Sequence, residues 1–209
     1  MKLTASAIIL AGGQSRRMGT PKAALMFGNC TILERLIAEL RADFDDILII
    51  AAPSQSEPFS IEQVLRSAAP SPLRLLRDPT AYQGAAPALA RGLAAAAHEV
   101  SFACSCDLPL LQAEVVRALY GMLNGYEAVI PQIGGNSQPL CAVYRRSVAA
   151  VIEMQLASGE RRLTRITDAL KAHRPDEQQL RLIDSELSSF LNVNTLEDYN
   201  RALRLLPQT

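Results

Sequence analysis

Short apolar runs alternate with longer segments of helical period along most of this chain, and the alternation predicts its architecture. The runs are residues 5–11 (ASAIILA), 47–52 (ILIIAA), 73–76 (LRLL) and 100–104 (VSFAC). Strands apolar at nearly every position are buried on both faces, as in a parallel sheet covered by helices. Between the first two, residues 31–41 place Ile32, Leu33, Leu36, Ile37 and Leu40 on one stripe, and Thr31 with Glu34 reads as a capping box. A second helix is predicted over 86–97, its Ala and Gly residues packing closely on the sheet. A third follows Pro109 and turns Val115, Val116, Leu119 and Leu123 inward. This order predicts an α/β fold of three layers, α/β/α, with a Rossmann-like, mostly parallel sheet and right-handed crossovers.

The second half is less regular. Residues 128–130 and 140–144 read as strands on either side of the turn-rich segment 132–138. Helices are predicted over 148–156 and 163–172, the latter stopped by Pro175, with a short strand over 180–183. Thr195 caps a final helix whose inward face holds Tyr199, Ala202 and Leu206. No repeat or long linker interrupts the chain. Residues 1–209 therefore read as a single domain, its N-terminal part suited to a nucleotide and residues 128–200 or so to an acceptor.

Composition narrows the function. A chain of 209 residues, 49% of them hydrophobic, supports one sizeable core. Lys and Arg number 21, as do Asp and Glu, so there is no basic excess with which to neutralise a nucleic acid. The apolar N-terminus is short and runs into the basic segment GGQSRRMG without a cleavage pattern. No apolar run is long enough to predict a membrane span. Cys30, Cys104, Cys106 and Cys141 lack zinc-site spacing, and only His98 and His173 accompany them. Reduced thiols and a cytoplasmic location are the expectation.

The chemistry is concentrated at strand ends. Directly after the first strand comes L-A-G-G-Q-S-R-R-M-G-T-P-K, residues 10–22. Gly12 and Gly13 permit close backbone approach, and successive N–H groups in such a turn converge on phosphate oxygens. Ser15 adds a hydroxyl, and Arg16, Arg17 and Lys22 add positive charge. Neither GxxxxGK[ST] nor GxGxxG is present. The competing reading is a surface turn with incidental cations. Asp107 follows the strand beginning at Val100, at a carboxyl end, where open α/β sheets place ligands. A carboxylate facing a triphosphate needs a cation between them, which points to Mg²⁺. The alternative makes Asp107 a turn or cap residue, with Pro109 beginning the next helix. Asp78 is a second rim carboxylate, or an ordinary turn aspartate.

The string LAGGxSxRMGxxK resembles the signature of the molybdenum cofactor guanylyltransferases, within the wider set of Gly-rich-loop nucleotidyltransferases. CDxP at Cys106, QPLxAVY at Gln138, GERR at Gly159 and FLNVNT at Phe190 follow in the family's order, so the resemblance runs from Ile8 to Ala202. It implies a nucleotide-diphospho-sugar transferase-like fold. It implies that Leu10, Gly12 and Gly13 hold the triphosphate of GTP, with Lys22 on phosphate; Ala11, Ser15 and Arg16 of the same loop are expected to line the nucleotide beside them. Asp107 would bind the metal and Asp78 would contact the nucleotide, through its base or through metal. Asn136, Gln138, Arg161, Arg162, Asn192 and Asn194 would then meet the acceptor, the two amides at 136 and 138 suiting a pterin's lactam edge. For Arg161 and Arg162 the alternative is a solvated helix cap with a local contact to Glu160.

The implied reaction moves GMP from GTP to molybdopterin or its molybdenum form and releases pyrophosphate. A cofactor-delivery or client protein is a further implied partner. Pro21 replaces the family's usual Asp, Ala85-Ala86 replace Pro-Leu, and Leu196 replaces Pro. After the second strand, where many relatives carry Asn, only Ser54 or Gln55 is at hand to substitute. The alternatives are a molybdopterin cytidylyltransferase, another small-molecule enzyme such as a sugar-phosphate nucleotidyltransferase, and a nucleotide-binding adaptor without turnover.

Overall fold

The computed structural model describes residues 2–12, 22–53, 73–78 and 84–206. Strand β1 (Ser6–Leu10) is buried at every position. A 3-10 turn at Lys22–Ala24 leads into a small hairpin of β2 (Met26–Phe27) and β3 (Cys30–Thr31). Helix α1 (Ile32–Leu40) begins at the expected capping box: Glu34 N–H donates to Thr31 Oγ1 at 3.1 Å, and Thr31 N–H donates to Glu34 Oε2 at 2.8 Å. All five residues of its stripe are buried. β4 (Ile47–Ala51), β5 (Leu73–Arg77), α2 (Ala85–Ala95), β6 (Val100–Ser105) and α3 (Ala113–Gly121) complete the first half.

The second half contributes β7 (Ala128–Val129), the hairpin of β8 (Gln132–Ile133) and β9 (Asn136–Ser137), and β10 (Cys141–Arg145). Helices α4 (Val148–Ala157) and α5 (Leu163–Asp168) follow, then β11 (Ala172–His173), α6 (Glu177–Arg181), a 3-10 turn at Ser188–Phe190 and α7 (Leu196–Arg204).

The main sheet has the order β11-β7-β10-β6-β1-β4-β5. Only β10 runs against its neighbours; the remaining pairings are parallel. Side chains alternate between the two faces of β1, as a pleated strand requires. Ala7 and Ile9 pack with residues of α1, α3 and α7, such as Leu36, Val115 and Ala202. Ile8 and Leu10 pack with residues of α2, α4 and α5, such as Leu89, Ile152 and Ile166. The result is the three-layer α/β/α fold with a mostly parallel sheet. Helix α2 lies close against β1 at Gly92, where a Cβ would come within 2.8 Å of Ile8 Cγ2. No helix among the described residues is long and apolar enough to cross a membrane.

Three local expectations are corrected. The helix expected over 163–172 stops at Asp168, and Ala172–His173 pairs with β7 instead. The exposed edge of β7 captures this chain through Glu127 N–H to Lys171 O and Ile130 N–H to His173 O, each 2.9 Å. Residues 180–183 are not a strand: Leu180 lies in α6, which Asp176 and Gln179 cap reciprocally. Leu180 and Ile183 both join the core from a helical turn, a spacing of three rather than two. Pro109 does not begin the third helix. α3 starts at Ala113, whose N–H donates to Glu39 Oε1 of α1 at 2.7 Å, a partner from a distant element.

Candidate active site

Parallel strands that share a direction end on one rim, and neighbouring ends bring their following residues together. β1 and β6 are adjacent with Leu10 opposite Ser105, so the turn after β6 passes the end of β1. Cys106 N–H donates to Leu10 O at 3.1 Å and seats Asp107 there. Lys22, at the start of its 3-10 turn, reaches the same point. Its Nζ donates to Asp107 Oδ2 at 2.9 Å and to Asn194 Oδ1 at 2.6 Å. Ser105 Oγ donates to the other carboxylate oxygen, Oδ1. Asp107 is therefore oriented from both sides, and the side chains of the ion pair remain 19% (Lys22) and 14% (Asp107) exposed. The pair is mostly covered but still reaches the surface, so its two charges are not sealed in a dry interior.

The C-terminal segment completes the cluster. Val193 N–H donates to the backbone oxygen of Asp107 at 2.9 Å. Thr195 caps α7, and Asp198 Oδ2 accepts the N–H groups of Asn194 at 3.0 Å and Thr195 at 2.8 Å. Burial would push the Asp198 carboxyl up, but hydrogen bonds from the Thr195 side chain and from those amides, together with the Lys22 charge, hold it below its ordinary value.

At the other side of the pair lies the start of the glycine turn. Leu10 and Ala11 are buried, and Ala11 N–H donates to Ile50 O at 2.8 Å. A Cβ on Gly12 would stand 3.0 Å from Ala52 N and 3.4 Å from Ala51 C, so a side chain there would press on the backbone that follows β4. Gly12→Ala is expected to destabilise the protein by about 1–3 kcal/mol, the usual cost of overpacking against backbone. Urea unfolding measures it, and an unchanged midpoint would show that the two strand ends part freely. Gly13, Ser15, Arg16 and Arg17 lie outside the described residues, as do Ser54 and Gln55.

Asp78 follows β5, and its N–H donates to Ala51 O at 2.8 Å. Burial raises its carboxyl above the ordinary value against the opposing charge of Arg91. β4 and β1 separate β5 from β6. Three strand spacings amount to roughly 14 Å, so the structure puts Asp78 on the same rim but does not bring it to Asp107.

On the acceptor side, β10 runs against β6 and so begins at this rim, which carries the β8–β9 hairpin there. Asn136 Nδ2 donates to Gly134 O at 3.0 Å, and Gln138 N–H donates to Pro131 O at 2.8 Å. Glu160 Oε1 accepts the backbone N–H groups of Arg161 and Arg162, each at 2.8 Å. These bonds, that from Arg162 foremost, hold the Glu160 carboxyl below its ordinary value. The local Glu–Arg contact is thus present, and both arginines are exposed. Asn192 Nδ2 donates to Phe190 O at 3.4 Å.

A metal would find one carboxylate at the centre of the rim. Among the described residues no group of three His, Cys, Asp or Glu could hold an ion. That donor set suits Mg²⁺, which is commonly held by one or two carboxylates while phosphate oxygens and water fill its remaining positions. Asp107, with Ser105 beside it, fits the requirement.

Two partners escaped the sequence reading. Ser105, two residues before Asp107, has a spacing at which hydroxyl and carboxylate meet locally, and that signal was available. The bond between Asn194 and Lys22 spans 172 positions and leaves no local trace.

The MobA-like NTP transferase domain matches residues 7–175. A molybdenum cofactor guanylyltransferase of Desulfosudis oleivorans is 32% identical over 197 residues, 93% of this chain and 92% of its own length. Among solved structures, molybdopterin-guanine dinucleotide biosynthesis protein A from Archaeoglobus fulgidus superposes with a TM-score of 0.77 at 23% identity, covering 96% of this chain and 97% of its own. 4-Diphosphocytidyl-2C-methyl-D-erythritol synthase from Anaerococcus prevotii gives 0.73 at 18% identity, covering 97% and 96%. The two superpositions establish the fold. On the coverage of the domain match and of the Desulfosudis relative, this chain belongs to the MobA-like NTP transferase family, and it is a nucleotidyltransferase.

Proposed function

We propose that this enzyme transfers GMP from GTP to the terminal phosphate of molybdopterin or its molybdenum form, releasing pyrophosphate and forming the guanine dinucleotide cofactor. The observation that carries the phosphate-transfer part is the meeting of Lys22 and Asp107 where the glycine turn leaves β1. The choice of guanine nucleotide and of acceptor is supported by the name of the Desulfosudis relative, matched over nearly the whole of both chains.

In the reaction an acceptor phosphate oxygen bonds to the α-phosphorus of GTP, and the bond from that phosphorus to the bridging oxygen of pyrophosphate breaks. The nucleophile is already anionic near neutral pH, so no strong general base is needed. Alignment and charge stabilisation supply the catalysis. Lys22 contributes a positive charge to the triphosphate once it turns from Asp107, with Asn194 holding its amine at the rim. Asp107 would hold Mg²⁺, which supplies charge neutralisation between carboxylate and phosphates. Asp78, several strands from Asp107, is suited to the base or ribose rather than to the metal. Asn136, Gln138, Asn192 and the arginine pair at 161 and 162 supply hydrogen bonds and charge for the acceptor.

The test is pyrophosphate release by purified protein with Mg²⁺, molybdopterin or its molybdenum form, and each nucleoside triphosphate in turn. Turnover is expected with GTP. Preference for CTP would replace the reading by a cytidylyltransferase. GTP binding without pyrophosphate, acceptor present, would leave an adaptor.

A further inference from the structure

A reciprocal helix cap needs one backbone amide from the cap residue, and at α7 that amide is Thr195 N–H on Asp198 Oδ2. The same oxygen also accepts Asn194 N–H, from the residue outside the helix. The second bond adds nothing to the cap itself; it fixes the backbone of Asn194. The side chain of Asn194 is then held at its other end by Lys22 Nζ, at 2.6 Å. One residue earlier, Val193 N–H is bonded to the backbone of Asp107. Asp198, Asn194, Lys22 and Asp107 thus form one continuous chain of polar contacts from the helix start to the rim.

We propose that Asp198 is a positioning residue for nucleotidyl transfer, acting through Asn194 to aim the Lys22 amine. The inference rests on the reading of Lys22 as the phosphate-binding cation. A lysine side chain is long and flexible, and an acceptor locked in place selects among its rotamers. Misplacement of a charge-stabilising group by about 1 Å costs on the order of a hundredfold in rate. A cap residue with no such role would affect stability alone.

Thr195→Ala separates the two roles, because it removes the hydroxyl of the cap but leaves both amides on Asp198. Asp198→Ala and Thr195→Ala are each expected to lower Tm by about 2–4 °C, the shift that loss of a cap brings in a chain of this size. Asp198→Ala should in addition lower kcat/KM for the nucleotide by about ten- to a hundredfold. Thr195→Ala should stay within about threefold of wild type. In a double-mutant cycle, adding Asp198→Ala to Asn194→Ala should cause no further loss of rate, since the effect passes through Asn194. Asp198→Asn, which keeps an oxygen for the two amides, should fall between wild type and Asp198→Ala.

Equal rates for Asp198→Ala and Thr195→Ala, or additive losses in the cycle, would overturn the inference while wild-type turnover and an inactive Lys22→Ala left the active-site reading standing. Wild-type rates in Lys22→Ala would overturn both.

Discussion

Asp107→Ala is expected to lower magnesium-dependent pyrophosphate release by about two to four orders of magnitude, the loss typical when an oriented electrostatic group is removed from a transfer site. The expectation follows from position. Asp107 lies where β1 and β6 end together, its two oxygens facing Lys22 and Ser105. Folding should survive the change. The contact that pins the C-terminal segment uses the Asp107 backbone oxygen, which alanine retains, and Lys22 keeps its bond to Asn194. Asp107→Asn preserves shape but not charge and should lose nearly as much. Thermal melts beside a Mg²⁺ titration of the rate separate lost chemistry from lost structure. A rate within about tenfold of wild type would remove the carboxylate from the chemistry.

Lys22→Ala is expected to cost a similar factor, about two to four orders of magnitude, for a complementary reason. On the proposed reading a triphosphate lies beside the Asp107 carboxylate, and without the Lys22 ammonium part of that repulsion stands uncompensated. Nucleotide affinity should fall together with the rate, because the proposed contact of Lys22 with the phosphates is made in the ground state as well as in the transition state. Lys22→Arg should recover only part of the loss: a guanidinium keeps the charge but spreads it over a rigid planar fork, where Lys22 sets a point charge between Asp107 Oδ2 and Asn194 Oδ1. Equilibrium binding of GTP together with single-turnover rates measures both effects. Wild-type binding and turnover in the alanine variant would show that the ion pair with Asp107 is purely structural.

Both arguments depend on a rim that was legible before any coordinates. Residues 5–11 and 100–104 are apolar at nearly every position because those strands are covered on both sides, and in a parallel sheet such strands end together. Gly12 through Lys22 and Asp107 follow those ends directly. The capping boxes at Thr31 and the helix start at Thr195 were legible for a related reason, since both partners of each cap lie within three residues. Even the local contact of Glu160 with the arginines that follow it was foreseeable as an alternative.

What sequence alone determined about this protein is what neighbours along the chain decide: which segments are buried, where the helices with their own side-chain caps at Thr31 and Thr195 begin, and which residues stand just past a strand. Tertiary structure alone decided the reversed direction of β10, the capture of Ala172–His173 by the edge of β7, and the start of α3 on Glu39. It alone decided that Lys22 lies on Asn194. The physical reason is common to all of these. Each rests on hydrogen bonds whose two partners are far apart in sequence, and the need of every buried edge and amide for a partner leaves no local pattern that names which one.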